Sequence, residues 1–173
     1  MREVNLDRIK NCPWDLEFAE KQAYEMCIEA IEEDGLLLKD VRWDELNLTK
    51  KQIYKLCLIA VRQNGEALDY VKVQTEEICI EALKQDKYAI KYVKDKEKYE
   101  NIFNIKYLKK QGEAKEVMAI KENGKWLFTV GCQEDIDLEE FIYRIYNTDG
   151  GFDLERGINV HRQVYVDFLE QFK

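Results

Sequence analysis

Apolar residues in the first two thirds of the chain recur as adjacent pairs spaced four apart. Met26-Cys27 is followed by Ala30-Ile31, Leu56-Cys57 by Ala60-Val61, and Ile78-Cys79 by Ala82-Leu83. This is helical periodicity with a wide apolar face. Each predicted helix runs into a polar break at Asp34-Gly35, Asn64-Gly65 or Asp86-Lys87. In the first two copies the glycine predicts a left-handed helix C-terminus. The third has lysine there, which predicts a less favourable turn. A short second helix follows, with Ala67, Leu68 and Val71, or Ala89, Ile90 and Val93, facing inward. The copies lie near residues 24–41, 54–71 and 76–93. Cys57 and Cys79 are 22 residues apart and Cys27 and Cys57 are 30 apart, so eight extra residues fall within Arg42–Gln52, a polar segment containing Trp43. Neither short helix buries its apolar face alone, so the copies are expected to stack.

The flanks differ. Residues 1–23 predict a turn at Asn11-Cys12-Pro13 and a helix whose Trp14, Leu16, Phe18 and Ala19 cover the end of the array, since terminal repeats need an atypical cap. Lys94 to Lys115, lysine-rich but carrying Tyr99, Ile102, Phe103, Ile105, Tyr107 and Leu108, predicts a helix or degenerate unit closing the array. From Lys115 onward the period changes. Two β-prone runs flank Glu122-Asn123-Gly124, and Asn-Gly between such runs signals a hairpin because both turn positions need positive φ. Asp137-Leu138-Glu139-Glu140 opens a helix in the manner of a capping box. A last helix spans His161 to Phe172. The expected fold class is therefore mostly α (α+β): a short stack of helix-pair repeats over 1–112, then a β-hairpin with two helices over 113–173.

Composition adds limits. An apolar share of 46% and a charged share of 36%, with one proline and eight glycines, fit a folded domain without long disordered linkers. No apolar run reaches bilayer-spanning length, so no membrane association is expected, and the N-terminus shows no secretory h-region. Cys27, Cys57 and Cys79 share one phase of the repeat among Ile, Leu and Met, which predicts core packing in a reducing cytoplasm. With no close cysteine pair and a single histidine, no metal and no cofactor is expected. The net charge of −8 is uneven: residues 1–49 carry 6 basic and 13 acidic groups, 50–130 carry 17 and 12, and 131–173 carry 4 and 10. A basic middle between acidic ends departs from a uniformly basic nucleic-acid binder and suits a charged surface meeting a complementary partner.

Four constellations carry candidate chemistry. Cys132 follows a β-prone run and precedes a capped helix, where a thiol is activated; His161 would be its base and Asp149 or Asp153 the orienter. The plainer reading is a small residue under the hairpin. His161-Arg162-Gln163 opens the last helix, where free backbone N–H groups attract anions; the plainer reading pairs Arg162 with a local carboxylate. Glu134, Asp135, Asp137, Glu139 and Glu140 form an acidic run without the ligand alternation of a calcium loop. It imitates a phosphate backbone, or it supplies the carboxylates favoured at a helix N-terminus. Lys84, Lys87, Lys91, Lys94 and the lysines after them, with Tyr88, Tyr92, Tyr99 and Tyr107 between, fit single-stranded nucleic acid or a solvated outer face.

The stretch Leu68 to Cys79 (LDYVKVQTEEIC) and Ala89-Ile90-Lys91-Tyr92-Val93-Lys94 resemble a short helical repeat family of unknown function found in bacteria, phages and large DNA viruses. The resemblance covers roughly residues 20–95. It implies a helical scaffold and assigns no activity, so no functional residue is carried over. The first copy departs from it, with Asp40 where the later copies have tyrosine. Trp126 to Gln133, with His161 to Tyr165, also resembles small modules at the ends of phage and mobile-element proteins. The expected function is non-catalytic protein binding through Trp43, Lys91, Lys94, Arg162 and the acidic run. Its specific form is a phage or mobile-element inhibitor, anti-CRISPR-like, that blocks a nucleic-acid-binding enzyme with acidic surface. The alternatives are a small enzyme using Cys132 and His161, and direct nucleic-acid binding through the lysine-rich middle.

Overall fold

The computed structural model describes residues 4–147 and 160–173, with the side chains of Val160 and His161 outside that description. The protein is mostly helical with one antiparallel sheet, and it divides into two compact units, Met1–Lys96 and Glu97–Lys173. The expected boundary at residue 112 thus moves to the start of helix α5, because the segment after it joins the sheet rather than the array.

The first unit is a tandem of α-helices, each followed by a 3-10 helix. Helix α1 (Leu6–Asn11) precedes Pro13–Phe18, α2 (Tyr24–Glu33) precedes Gly35–Asp40, α3 (Lys50–Gln63) precedes Gly65–Tyr70, and α4 (Glu76–Gln85) precedes Lys87–Tyr92. The expected second helices are thus 3-10 helices. Each junction is one residue, Cys12, Asp34, Asn64 or Asp86, with φ between −141° and −148°; the last three are extended. Its N–H closes the α-helix; those of Asp34, Asn64 and Asp86 bond the Ala30, Ala60 and Ala82 carbonyls. The Asp34, Asn64 and Asp86 side chains then accept the N–H two residues on, at 2.9, 3.0 and 2.8 Å. Such Asx caps start the 3-10 helix at once. The lysine in the third copy leaves the turn unchanged, because Gly35 and Gly65 are not left-handed: among the described glycines only Gly112, Gly124 and Gly131 have positive φ.

The cysteine-phase expectation holds at the level of packing. Cys27, Cys57 and Cys79 are buried beside Ala30, Ala60 and Ala82. Residues 5–19 repeat the same α/3-10 plan in shortened form, with Ile9 and Leu16 fully buried. Of the four residues expected to cap the array, Leu16 and Ala19 are buried, while Trp14 and Phe18 face solvent.

The second unit holds α5 beyond its first residue (Lys96–Phe103), four strands and two further α-helices. Strands β1 (Ile105–Leu108), β2 (Val117–Glu122), β3 (Lys125–Val130) and β4 (Gln133–Asp137) form an antiparallel sheet in sequence order. The hairpin is present, with Asn123 and Gly124 at φ 50° and 80° and Glu122 opposite Lys125. An isolated hairpin is marginal in water; here β1 and β4 extend it on both sides. Helices α6 (Leu138–Asn147) and α7 (Val160–Leu169) pack their apolar side chains with one face of the sheet. Phe128 is fully buried, stacked on Phe141 at 4.7 Å and edge-on to Phe172 at 5.0 Å. The Lys115 N–H donates to the Tyr165 hydroxyl at 2.7 Å and ties α7 to the segment entering β2.

Candidate binding surface

Two sets of glutamines build the repeat surface. The first set ends the α-helices. Gln63 accepts the Gly35 N–H at 2.6 Å and donates to the Glu33 carbonyl at 2.9 Å, so it clamps the junction of the preceding repeat. Gln85 accepts the Gly65 N–H in the same way. The matching pair nearer the N-terminus is Glu33 and Pro13. Proline has no N–H to offer, and the helix end there has no glutamine.

The second set lies five residues before the cysteines. Gln22 donates to the Leu16 and Asp40 carbonyls at 3.1 and 2.8 Å and accepts the Arg42 N–H at 2.8 Å. Gln74 donates to the Leu68 and Tyr92 carbonyls at 3.5 and 2.9 Å and accepts the Lys94 N–H at 3.0 Å. Each carboxamide thus staples two successive 3-10 helices. Gln52 holds the same offset before Cys57 but sits inside α3, where it forms a capping box with Thr49. The eight-residue insertion has let α3 start earlier and diverted this glutamine.

The last residue of each 3-10 helix in the array is aromatic in three of the four repeats, Phe18, Tyr70 and Tyr92, with Asp40 at the equivalent position in the second. Phe18 is 68% exposed, Trp14 on the same 3-10 helix 61%, Tyr70 38%, and Val73 just beyond it 76%. Exposed aromatics aligned by a scaffold are the side chains that interfaces favour. Asp40 interrupts the row. Burial pushes its carboxyl pKa up, with Glu17 and Asp34 adding to the shift and Lys39 opposing it.

Most of the binding residues expected from sequence are engaged internally. Lys91 pairs with Glu66 at 2.8 Å and lies 4.7 Å from the centre of the Tyr92 ring. Burial lowers its pKa, but hydrogen bonds to Glu66 and Tyr92 outweigh that and leave it raised. The Lys94 ammonium donates to the Lys72 carbonyl at 2.8 Å. Trp43 is half-buried in the insertion, next to Arg42, which reaches the Ala19 and Glu20 carbonyls and pairs with Glu45 at 2.9 Å. In the second unit Arg162 lies 4.1 Å from the centre of the Tyr146 ring.

The acidic run divides by role. Glu134, Asp135 and Glu139 are exposed; Asp137 accepts the Glu140 N–H at 2.8 Å and caps α6; Glu140 bonds Arg144. Glu134, Asp135 and Asp137 lie on β4, an edge strand, where charges deter further strand pairing. Asp135 has φ 53°, a kink that interrupts a regular edge.

Cys132 is exposed, in the turn after Gly131. Strand β4 separates it from α6, so it does not sit at the helix N-terminus where the sequence pattern places it. The side chain of His161, with Asp149 and Asp153, lies outside the described residues. The thiols of Cys27 and Cys57 are pushed up to about 11 by burial. Among the described residues no group of three or more His, Cys, Asp or Glu is placed to hold a metal ion, and no helix is long and apolar enough to cross a membrane.

A family model described as a domain of unknown function, DUF4116, matches residues 54–97, the stretch from α3 into α5. No curated protein and no solved structure matches the chain. The glutamine pattern was missed in the sequence reading, although it is visible there: a glutamine precedes each of Cys27, Cys57 and Cys79 by five residues, and another follows Cys57 and Cys79 by six.

Proposed function

We propose that the chain is a non-catalytic protein-binding scaffold whose 3-10 edge is the contact surface. The observation that carries this reading is the exposure of Phe18 and Tyr70 at one structural register of the repeat, with Trp14 on the same 3-10 helix as Phe18 and Val73 three residues after Tyr70 also exposed. The polar side chains around them, Gln22, Gln74, Arg42 and Lys94, are spent on holding the array together. Outward they leave Trp14, Phe18, Tyr70 and Val73 among charged residues such as Glu17, Lys39, Asp69 and Lys72, the mixture of an apolar interface centre with a polar rim. The test is affinity capture with the tagged protein and with a Phe18→Ser/Tyr70→Ser variant whose circular dichroism and melting match the wild type. A partner held by the wild type and lost by the variant supports the reading; equal retention by both removes it.

A second, narrower reading rests on the exposed Glu134, Asp135 and Glu139. These carboxylates suit the basic channel of a nucleic-acid-binding enzyme, which electrostatic complementarity would steer toward them. Charge reversal at all three positions then abolishes capture of such an enzyme and leaves capture through the 3-10 edge intact. Capture of the enzyme by the charge-reversed variant sinks this form of the proposal.

A further inference from the structure

We propose that the edge between the second and third 3-10 helices is a recognition site for a carboxamide side chain, supplied by a glutamine or asparagine of a partner protein. The inference rests on the protein-binding reading above and names the chemistry that one position of that surface selects.

The repeat itself supplies the argument. At Val41 and Val93 the chain is extended, so the carbonyl one residue before and the N–H one residue after serve one partner. In both places that partner is a glutamine carboxamide. It donates one N–H to the carbonyl before the valine (Asp40 or Tyr92) and its other N–H to a leucine carbonyl of the preceding 3-10 helix (Leu16 or Leu68). Its oxygen accepts the N–H after the valine (Arg42 or Lys94). A carboxamide has two donor hydrogens and an acceptor oxygen in one plane, which a carboxylate, an ammonium or a hydroxyl does not.

Val71 is the third such position. It is extended like the others, with φ −84° and ψ 110° beside −73° and 119° at Val41 and −68° and 133° at Val93. The corresponding groups are the Leu38 and Tyr70 carbonyls and the Lys72 N–H. The glutamine that would serve them, Gln52, is held by Thr49 in the α3 capping box. Among the described residues no hydrogen bond reaches the Tyr70 carbonyl or the Lys72 N–H, and both residues are exposed. The position therefore keeps the backbone geometry of a carboxamide site while its own carboxamide is committed elsewhere. Tyr70 and Val73 beside it offer apolar contact for the stem of an incoming side chain.

The experiment uses the whole protein, labelled with nitrogen-15, and two capped single residues as probes: N-acetyl-glutamine methylamide and its isosteric glutamate counterpart. Hydrogen exchange is read first. The Lys72 amide should exchange far faster than those of Arg42 and Lys94. The glutamine probe should then shift the Lys72 amide resonance saturably, with a dissociation constant on the order of 1 mM expected for so small a ligand. The glutamate probe should leave it in place. Protection of Lys72 equal to that of Lys94 overturns the proposal, since the groups are then already paired within the fold. So does an absent shift, or an equal shift with both probes. A scaffold that binds its partner without this carboxamide preference would still lose the partner on substitution of Phe18 and Tyr70, so the two readings fail separately.

Discussion

The Gly35 N–H is accepted by the Gln63 side chain of the next repeat, and the Ala60 carbonyl oxygen closes over the same glycine. A Cβ on Gly35 would overlap that oxygen, and on Gly65 it would lie 2.6 Å from the Ala82 oxygen. These glycines are therefore set by close approach between repeats, not by backbone handedness. In the last repeat the position is Lys87, and the elements that come next are α5 and strand β1 rather than another copy of the repeat. Gly35→Ala or Gly65→Ala should each destabilise the protein by about 1–3 kcal/mol, the usual range for overpacking, although alanine fits the backbone conformation. Lys87→Ala should cost under about 1 kcal/mol. Urea midpoints measure all three; equal midpoints for the glycine variants and wild type would show that the helices do not meet there.

Gln22 and Gln52 occupy the same offset before their cysteines and perform different tasks. Gln22 is only 8% exposed and serves three backbone groups. Gln22→Leu removes all three hydrogen bonds from a buried or part-buried site, which should cost about 2–4 kcal/mol. Gln52→Leu removes only one half of a surface capping box, about 1 kcal/mol or less. Denaturant titration of the pair should rank them in that order, and the reverse ranking would mean that Gln52, not Thr49's partner alone, carries the junction of the second and third 3-10 helices.

The helical array was legible because its signal is periodic and apolar. The Met26-Cys27/Ala30-Ile31 pairing and its successors place the helix faces without any knowledge of the fold. The Asn123-Gly124 turn was legible because few residues tolerate positive φ twice in succession. Residues 5–19 were not recognised as a repeat unit because α1 has six residues where α2 has ten, and because Cys12 and Pro13 replace the Asx-Gly pair. Strand β1 is four residues in a lysine-rich run, too short for alternation to show, and β4 carries three carboxylates among five residues. Edge strands tolerate such charges, so composition concealed both. The binding surface was least legible. Lys91 and Lys94 look available in sequence, and only the fold shows Glu66 and the Lys72 carbonyl claiming them.

Asp40 stands in the aromatic row between Phe18 and Tyr70, and its raised pKa makes a test in pH. A carboxyl whose folded pKa lies above its unfolded value binds its proton more tightly in the native state. Its ionisation therefore costs stability, beginning as pH rises past the unfolded pKa and complete above the folded one. Asp40→Asn should raise the melting temperature at pH 7, and the gain should vanish below about pH 4, where both states are protonated. The Gln22 staple uses the Asp40 carbonyl, which the substitution leaves in place. A stabilisation that persists undiminished at low pH would mean that the effect is not electrostatic.

The cysteines divide by environment in a way that reactivity can read. Cys132 is exposed, Cys12 is half-buried, and Cys27, Cys57 and Cys79 are buried. Burial holds the Cys27 and Cys57 thiols at about 11, which leaves a thiolate fraction on the order of 10⁻⁴ at pH 7. Alkylation followed by peptide mass mapping should label Cys132 first and Cys12 more slowly. Cys27, Cys57 and Cys79 should react only after denaturant unfolds the array, and they should react together, because they share one packing position in successive repeats. Early labelling of Cys57 alone would locate an opening beside the insertion, where the second repeat lacks the glutamine that sits beside Cys27 and Cys79, at 4.0 Å from each sulfur. Simultaneous labelling of all five under native conditions would contradict the packed array itself.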